Sequence, residues 1–169
     1  METALFNTIK DRRSIRRFKD RPVEDLEIER ILDSARHAPS GMNNQPWRFA
    51  VIKNREVLDK LADCTKYGRV LLEAQTAIAV YLDNETSYNH LKDVQAVGAC
   101  IQNLLLGAHA LGLGAIWLGE ILNRAVDVND ILKAPEKHEL MAVIALGYPD
   151  ERPEFPGRME IEELVFARY

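Results

Sequence analysis

One long stretch of the chain carries apolar residues at helical spacing for about five turns, and it constrains the fold more than any other feature. A helix with so wide an apolar face has to be covered by other elements, so we expect it to be the central helix of the domain. Gly112 follows it as a left-handed stop signal, and Gly114 allows the next strand to approach closely. The stripe consists of Val94, Val97, Ile101, Leu104, Leu105, Ala108 and Leu111.

Four short runs rich in Val, Ile, Ala and aromatic residues predict strands. Helical spacing elsewhere predicts shorter helices, the first ending at an arginine-rich run and the second ending at Ala38-Pro39, where proline stops it. The apolar residues at helical spacing in the second helix are Leu26, Ile28, Ile31, Leu32 and Ala35. This pattern predicts a single α+β domain over residues 1–169, with an irregular tail at 151–158. The predicted strands are 48–53, 76–82, 114–118 and 140–146, and the shorter helices lie near 4–9, 26–38, 55–64, 67–75 and 125–132.

Charge and composition exclude several classes of function. The chain has a formal net charge of -4 and 47% hydrophobic residues. Nucleic acids and anionic membranes need a basic face, so we expect neither as a partner. No apolar run is long enough to span a bilayer and the N-terminus lacks the apolar core of a signal peptide, so we expect a cytoplasmic protein. Cys64 and Cys100 lack metal-ligand spacing and are expected to be buried thiols.

The most cationic part of the sequence lies just after the first helix. Arg12, Arg13, Ser14 and Arg16 place three guanidinium groups and a hydroxyl within five positions of an otherwise acidic chain. Forked donors of this kind suit a small dianion such as a phosphate better than a polymer. The alternative is an exposed basic turn that binds nothing, and Arg17 fits that description.

Two further segments complete a recognisable pattern. Pro39-Ser40-Gly41-Met42-Asn43-Asn44-Gln45-Pro46-Trp47 combines small residues, an amide run and Pro-Trp, and Gly112-Leu113-Gly114-Ala115-Ile116-Trp117-Leu118-Gly119-Glu120 follows the central helix. Together with the arginine run, these segments closely resemble the nitroreductase family of FMN-dependent oxidoreductases. The resemblance extends from about Phe6 to the C-terminus.

The resemblance implies a particular architecture. It implies a nitroreductase-like α+β fold in which a central mixed, mainly antiparallel sheet is flanked by helices. It also implies an intertwined homodimer, in which the C-terminal segment, about 155–169, reaches across to the partner subunit and joins its sheet. FMN would lie in a groove made by both subunits.

By the same resemblance, the FMN phosphate and ribityl chain would be bound by Arg12, Arg13, Ser14 and Arg16. A late cation closes the phosphate site in the family, and Arg158 is the candidate here, with Arg152 as the alternative.

The two later segments would hold the flavin ring. Pro39, Ser40 and Gly41 would lie along it, and Asn43 would bind its polar edge or the ribityl chain. Leu118 and Gly119 would present backbone groups to N5.

Other residues near the expected flavin keep open roles. Lys66 or Arg69 could supply positive charge near N1, and Tyr67 could face the substrate cavity or be packed. Glu120 receives no acid or base role, because the family pattern differs at this point, and Trp47 is expected in the core. We expect no catalytic side chain and no metal.

The resemblance implies an enzyme that takes hydride from NADH or NADPH and reduces a nitroaromatic, a quinone or a related small-molecule acceptor by a ping-pong mechanism. The sequence does not distinguish NADH from NADPH, because no residue can be assigned to the nucleotide 2' position. Two alternatives remain. One is a non-catalytic flavin-binding protein, and the other is a specialised flavoenzyme of the same fold, of the reductive dehalogenase or flavin-fragmenting type, for whose lid this chain is short.

Overall fold

The computed structural model describes residues 3–169, which form seven α-helices, two 3₁₀ turns and four strands. The helices are α1 Ala4–Asp11, α2 Asp25–Arg36, α3 Arg55–Ala62, α4 Gly68–Glu73, α5 His90–Ala110, α6 Ala125–Leu132 and α7 Ile161–Leu164. The strands are β1 Trp47–Ile52, β2 Thr76–Asp83, β3 Gly114–Leu118 and β4 His138–Gly147. The 3₁₀ turns are Gly41–Asn43 and Glu120–Arg124.

The sheet has the order β1-β2-β4-β3, and every pair of neighbouring strands is antiparallel. The family resemblance predicted a mixed, mainly antiparallel sheet. Within residues 3–169 the parallel component is confined to a single bridge between Ser14 and Ala115, beside β3. This bridge attaches the arginine run to one edge of the sheet.

Helices cover both faces of the sheet, which is why the whole of β2 is buried. Alternate residues of a strand point to opposite faces. Ile78 and Val80 accordingly face the core beneath α2 and α5, while Ala79 and Tyr81 face the core beneath α3, α4 and α6. The sheet therefore separates two apolar cores within one domain.

The central helix α5 is confirmed. It has 21 residues, begins where the Asn89 side chain accepts a hydrogen bond from the Lys92 N–H, and ends before Gly112 with φ of 77°. At about 1.5 Å per residue it is roughly 30 Å long. Gly114 was expected to allow close packing against this helix, but its close neighbour is the arginine run, because a Cβ there would lie 2.8 Å from the Ile15 side chain.

The second helix differs from expectation at one residue. Ile28, Ile31 and Ala35 are buried, but Leu26 is 58% exposed. Leu26 lies two residues before Ile28, and at 100° per residue it falls on the opposite side of the helix from the buried stripe. Helical spacing was correct for the other positions and wrong for this one.

The expected burial of three residues is confirmed. Cys64 and Cys100 are buried free thiols, and Trp47 is buried in the core. Within residues 3–169, no group of His, Cys, Asp and Glu side chains is arranged to hold a metal ion. Every helix in that range is too short or too polar to cross a bilayer.

The segment after β4 is irregular from Glu151 to Glu160, as predicted, and then forms the short helix α7. Its large apolar side chains have little cover from the rest of the chain, and Phe166 is 97% exposed. The exposed apolar residues of this tail are Phe155, Met159, Ile161, Leu164, Val165, Phe166 and Tyr169.

Candidate functional site

The arginine run is held against the sheet by its apolar members. Ile15 and Phe18 are buried, the Ile15 N–H donates to the Ala115 carbonyl at 3.1 Å, and Phe18 bridges to Pro149 after β4. The chain leaves helical geometry at Arg12, with ψ of 131°. Because the apolar side chains point inward, the guanidinium groups between them are left at the surface of a cleft.

A cavity of about 410 Å³ lies between the end of α1, the C-terminal half of α5 and the segment after β4. It is lined by three arginines and two carboxylates, with His109 of α5 and an apolar floor that includes Ile15, Leu113 and Ala115. Its volume is within the range of about 300–1,000 Å³ that small-molecule sites occupy. The charged lining residues are Asp11, Arg12, Arg13, Glu151 and Arg152.

Arg12 is the most informative residue of this cavity. Partial burial lowers the pKa of its guanidinium, and the positive charges of Arg158 and Arg13 lower it further. Within residues 3–169 the Arg12 side chain has no hydrogen bond and no ion pair. Three guanidinium groups are thus gathered here without a carboxylate that pairs directly with Arg12, which is the electrostatic condition for binding an anion.

The aromatic ring of Phe155 brings Arg158 to the arginine run. The Arg13 guanidinium carbon lies 4.8 Å from the ring centroid and that of Arg158 lies 5.4 Å from it. These residues line a second cavity of about 590 Å³ together with the last residues of α1. Arg152, the alternative late cation, lines the first cavity instead.

Part of the run also serves the local backbone. Arg13 Nη1 donates to the Lys10 carbonyl at 2.7 Å and the Arg12 carbonyl at 3.0 Å, while its buried Nε has no partner within the described part of the chain. Arg16 Nη1 donates to the Ser14 carbonyl at 3.3 Å, and the Arg16 N–H donates to Glu151. Arg13 therefore has a structural contact in addition to any ligand it holds.

The loop of residues 39–45 has an unusual backbone. Met42, Asn43 and Gln45 all have positive φ, at 52°, 55° and 45°. Non-glycine residues in this region each cost about 1–3 kcal/mol, and such strain concentrates at binding sites. Pro39 and Asn43 are exposed, and the Asn43 amide makes no side-chain hydrogen bond within residues 3–169. Asn43 is thus presented outward on a strained loop.

A buried carboxylate holds this loop in place. Asp93, in the first turn of α5, is 0% exposed and accepts four hydrogen bonds. Its Oδ1 accepts from Asn44 Nδ2 at 2.9 Å, and its Oδ2 accepts from Ser87 Oγ and from the N–H groups of Tyr88 and Asn89. Burial acts to raise the pKa of Asp93, but the donors outweigh it and hold the pKa below its ordinary value.

Two further contacts define the loop. The Gln45 N–H donates to Ser40 Oγ at 3.0 Å. Tyr88 lies across Gly41 so closely that a Cβ added to this glycine would be 2.6 Å from Tyr88 Cε1. A larger residue at position 41 would therefore displace the Tyr88 ring from the loop.

The end of β3 forms the third part of the expected site. Leu118 is buried, and Gly119 is exposed at the beginning of the 3₁₀ turn. Glu120 turns away from Gly119 to the segment before α4, where its Oε2 accepts from Thr65 Oγ1 at 2.8 Å and from the Lys66 N–H at 3.0 Å. The Lys66 backbone donor, followed by Thr65, lowers the pKa of Glu120.

The geometry separates the two candidate cations near this turn. Arg69 Nε is paired with Glu73 at 3.0 Å on the surface of α4. The Lys66 ammonium has no hydrogen bond or ion pair within residues 3–169, although its charge helps to lower the pKa of Glu120. Tyr67, beside it, is 51% exposed.

The predicted residues fall into two groups on opposite sides of the chain. The arginine group, Arg12, Arg13, Ser14, Arg16, Leu118, Gly119 and Arg158, lies along β3 and the C-terminal end of α5. The loop group, Pro39, Ser40, Gly41 and Asn43, precedes β1 and contacts the N-terminal end of α5.

The distance between the two groups can be estimated across the sheet and along α5. Leu118 of β3 is aligned with Val143, Ala79 and Ala50 across three strand spacings, which is roughly 14 Å. Asp93, which holds the loop, and His109, in the arginine cavity, lie sixteen positions apart on α5, which is roughly 24 Å. The structure thus brings the members of each group together but does not bring the two groups together within one chain.

Four residues of the site were not assigned a role from the sequence: Thr65, Tyr88, Asp93 and His109. Burial lowers the pKa of His109, Asp11 raises it, and Arg12 and Arg13 lower it. Asp93 has the sequence signal of any acidic residue in a first helical turn, so its burial was not predictable. Thr65 and Tyr88 act through partners distant in sequence.

Comparison with known proteins finds one family. A family model described as "Nitroreductase family" matches residues 9–68 and 63–148. A Desulfovibrio desulfuricans protein solved in complex with FMN is 43% identical, with a TM-score of 0.95 over 100% of this chain and 99% of that chain. An Archaeoglobus fulgidus protein, provisionally named NADH dehydrogenase/NAD(P)H nitroreductase, is 39% identical over 92% of this chain and 90% of its own length. An iodotyrosine deiodinase of Thermotoga neapolitana is 27% identical over 90% and 92%, respectively.

Proposed function

The chain belongs to the nitroreductase family, and we propose that it is an FMN-dependent enzyme that takes hydride from NADH or NADPH and reduces a nitroaromatic, a quinone or a related small acceptor. The observation that carries the proposal is the partly buried, unpaired Arg12 in a cavity of about 410 Å³, flanked by Arg13 and Arg158. An FMN phosphate, with a charge of about -1.5 to -2, fits this cluster.

The chain supplies the groups that hold and orient the cofactor. Arg12 and Arg158 would neutralise the phosphate, Ser14 would donate its hydroxyl, and Arg16 and Arg13 would contribute further N–H donors. Gly119 is exposed at the end of β3, about four residues beyond the Ser14 bridge, or roughly 13 Å. An elongated ligand with its phosphate at Arg12 would therefore have its ring beside Leu118 and Gly119.

When it is bound, FMN supplies the redox chemistry, so the protein needs no nucleophile of its own. The contribution of this chain is positive charge, orientation and a backbone that approaches the ring closely. We assign the cation at the polar edge of the ring to Lys66 rather than Arg69, because Glu73 pairs with Arg69.

We further propose that the site is completed by a second copy of the chain. The loop group lies too far from the arginine group to share one ligand within a chain, but in an isologous dimer each loop group meets the partner subunit's arginine group. Exposed apolar side chains support this arrangement. The tail beyond residue 155 and the α1 residues Leu5, Phe6 and Ile9 carry large apolar side chains that are exposed in the single chain, as the residues of protein–protein interfaces are.

The kinetic proposal is a ping-pong reaction, in which the oxidised nicotinamide leaves before the acceptor enters the same cleft. Nitro reduction would then be a convenient assay, whatever the natural acceptor is. A specialised flavoenzyme with a lid over the cleft is less well supported. The connection from β2 to α5 is only the six residues 84–89, and Ser87, Tyr88 and Asn89 are tied to Asp93.

The visible absorption spectrum of the purified protein tests the proposal. We expect a flavin band that bleaches on anaerobic addition of NADPH or NADH and returns when a quinone is added. A band that does not bleach with either nicotinamide would identify a non-catalytic flavin-binding protein. No band, even after incubation with FMN, would overturn the assignment of the arginine and loop groups.

A further inference from the structure

Glu120 joins two segments that are distant in the sequence. Thr65 Oγ1 and the Lys66 N–H both donate to its Oε2, at 2.8 and 3.0 Å, across more than fifty residues. Asn123 Nδ2 donates weakly to the other oxygen, Oε1, at 3.4 Å. A single oxygen atom therefore carries both contacts to the turn that precedes α4.

The turn has two backbone hydrogen bonds of its own, from the Gly68 N–H to the Thr65 carbonyl at 3.2 Å and from the Val70 N–H to the Tyr67 carbonyl at 2.9 Å. Thr65 Oγ1 also accepts from the Tyr67 N–H at 3.2 Å, so the Thr65 hydroxyl links Tyr67 to Glu120 through two hydrogen bonds. The following helix α4 has six residues, and a helix of that length is not stable by itself. The Arg55 guanidinium donates to carbonyls at its C-terminal end, but its N-terminal end, next to the turn, has no side-chain cap. The contact with Glu120 is thus the side-chain link between this turn and the end of β3.

The turn is fastened to the residue next to Gly119. A carboxylate that accepts backbone and hydroxyl donors is stabilised in its ionised form, consistent with the lowered pKa of Glu120. It remains an acceptor at neutral pH and has no proton to transfer. Its effect on a reaction at Gly119 would therefore be exerted through the position of Lys66 and Tyr67.

We propose that Glu120 is a positioning residue that fastens the Thr65–Tyr67 turn beside the flavin and so sets the place of the Lys66 ammonium at the cleft. This inference rests on the proposed function, because it assumes that the flavin ring lies at Gly119. Some members of the family have a glutamate just before the glycine, whereas Glu120 follows Gly119 in this chain. Neither the family resemblance nor the relatives therefore assign such a role to Glu120.

The test compares Glu120→Ala with Glu120→Gln. The glutamine amide oxygen can take the place of Oε2 and keep both donors, while its Nε2 faces Asn123, which can rotate to present its own oxygen. Alanine removes both contacts. Glu73→Ala is the matched control, because it deletes a partly exposed carboxylate on α4 whose ion pair is with Arg69 and not with the turn.

The first readout is hydrogen exchange in the FMN-free protein. The Lys66 N–H should exchange about ten-fold faster or more in Glu120→Ala, because a hydrogen bond to a charged group is lost. Exchange should stay at the wild-type rate in Glu120→Gln and Glu73→Ala. Unchanged exchange in Glu120→Ala would overturn the inference.

The second readout is turnover of the FMN-loaded protein. We expect kcat to fall about ten-fold in Glu120→Ala with little change in FMN affinity, and to be restored in Glu120→Gln. Normal kcat in Glu120→Ala, or an equal loss in both variants, would overturn the positioning role alone. A wild-type protein that binds no flavin would instead overturn the proposed function, so the two failures are distinguishable.

Discussion

Asp93 and Asn44, forty-nine residues apart in the chain, are joined by a hydrogen bond of 2.9 Å from the Asn44 amide to Asp93 Oδ1. The other carboxylate oxygen serves only the turn of residues 87–89. One buried side chain therefore couples the strained loop before β1 to the beginning of the central helix. Because the two oxygens of Asp93 have different partners, this coupling can be tested by a substitution that changes only one of them.

Replacement of Asp93 by asparagine should release the loop and spare the turn. The asparagine oxygen can keep the three donors from residues 87–89, but its amide would then face the Asn44 amide, donor against donor. We expect the free energy of unfolding to fall by about 1–3 kcal/mol and FMN affinity to fall with it. Urea unfolding and flavin titration would measure both. A stability equal to that of the wild type would show that Asn44 is not held by Asp93.

The phosphate assignment predicts a selective loss of cofactor. Arg12→Ala combined with Arg16→Ala should give a folded, colourless protein, because neither guanidinium fills a core. Each lost contact to a phosphate is worth about 1.5–3 kcal/mol, or roughly ten- to one-hundred-fold in affinity. Titration with FMN and with riboflavin, which lacks the phosphate, would separate a loss of phosphate contacts from a general loss of flavin binding. The assignment requires a large loss for FMN and a small one for riboflavin.

The matched control for that experiment is Arg17→Ala. Arg17 is exposed, belongs to the same run and lines a different cavity, with Asp20 and Gln75. Normal FMN affinity is expected in this variant. If FMN binding were weakened as much as in the Arg12 and Arg16 variant, the loss would be a general effect of net charge.

Sharing of each site by two chains predicts complementation between variants. One chain would carry Arg12→Ala and the other Ser40→Trp, which places a large side chain in the loop group. Each homodimer should be colourless, but a mixed dimer would contain one site with both defects and one site with none. Co-expression with two different affinity tags, followed by measurement of flavin per dimer, should give about half occupancy.

A site built within one chain would leave both sites of the mixed dimer defective. Absence of flavin from that dimer would therefore contradict the shared site. Retention of flavin by the Ser40→Trp homodimer would instead show that the loop group does not contact the cofactor.

Cys100 predicts a pH dependence of stability. Burial raises the pKa of its thiol to about 12, whereas an unfolded cysteine titrates near 8.5. Because the folded pKa is raised, the stabilising contribution is complete below about pH 8.5 and is lost as the pH rises toward 12. The loss of folding free energy from this thiol between pH 8.5 and pH 10 should amount to about 2 kcal/mol.

Urea unfolding of the wild type and of Cys100→Ala at pH 8 and pH 10 would measure this contribution as a difference of differences. The alanine variant should lose less stability on going to pH 10. An identical loss in the two proteins would show that the Cys100 thiol ionises in the folded state. In the Cys64→Ser variant, the native Cys100 thiol should also resist Ellman's reagent at pH 8 and react after unfolding.

Much of the secondary structure could be predicted because it depends on local periodicity. The bounds of β3 and α6 are as expected, and α5 differs only at its first turn. The ends of the other strands differ by at most two residues, and the largest difference is that β4 begins at His138 rather than Leu140. Leu26 was misplaced because its apolar character suggested burial although its angular position did not.

The sequence by itself determined which chemical groups are available: the guanidinium cluster, the amide loop and the glycine at the end of β3. Only the tertiary structure decided where they lie. The strands β1 and β3 lie on opposite sides of the β2-β4 pair, and α5 is long. Both features place the loop group far from the arginine group. The contacts of Asp93 with Asn44 and of Glu120 with Lys66 join segments about fifty residues apart, and no local pattern encodes such pairings because they depend on how the whole chain packs.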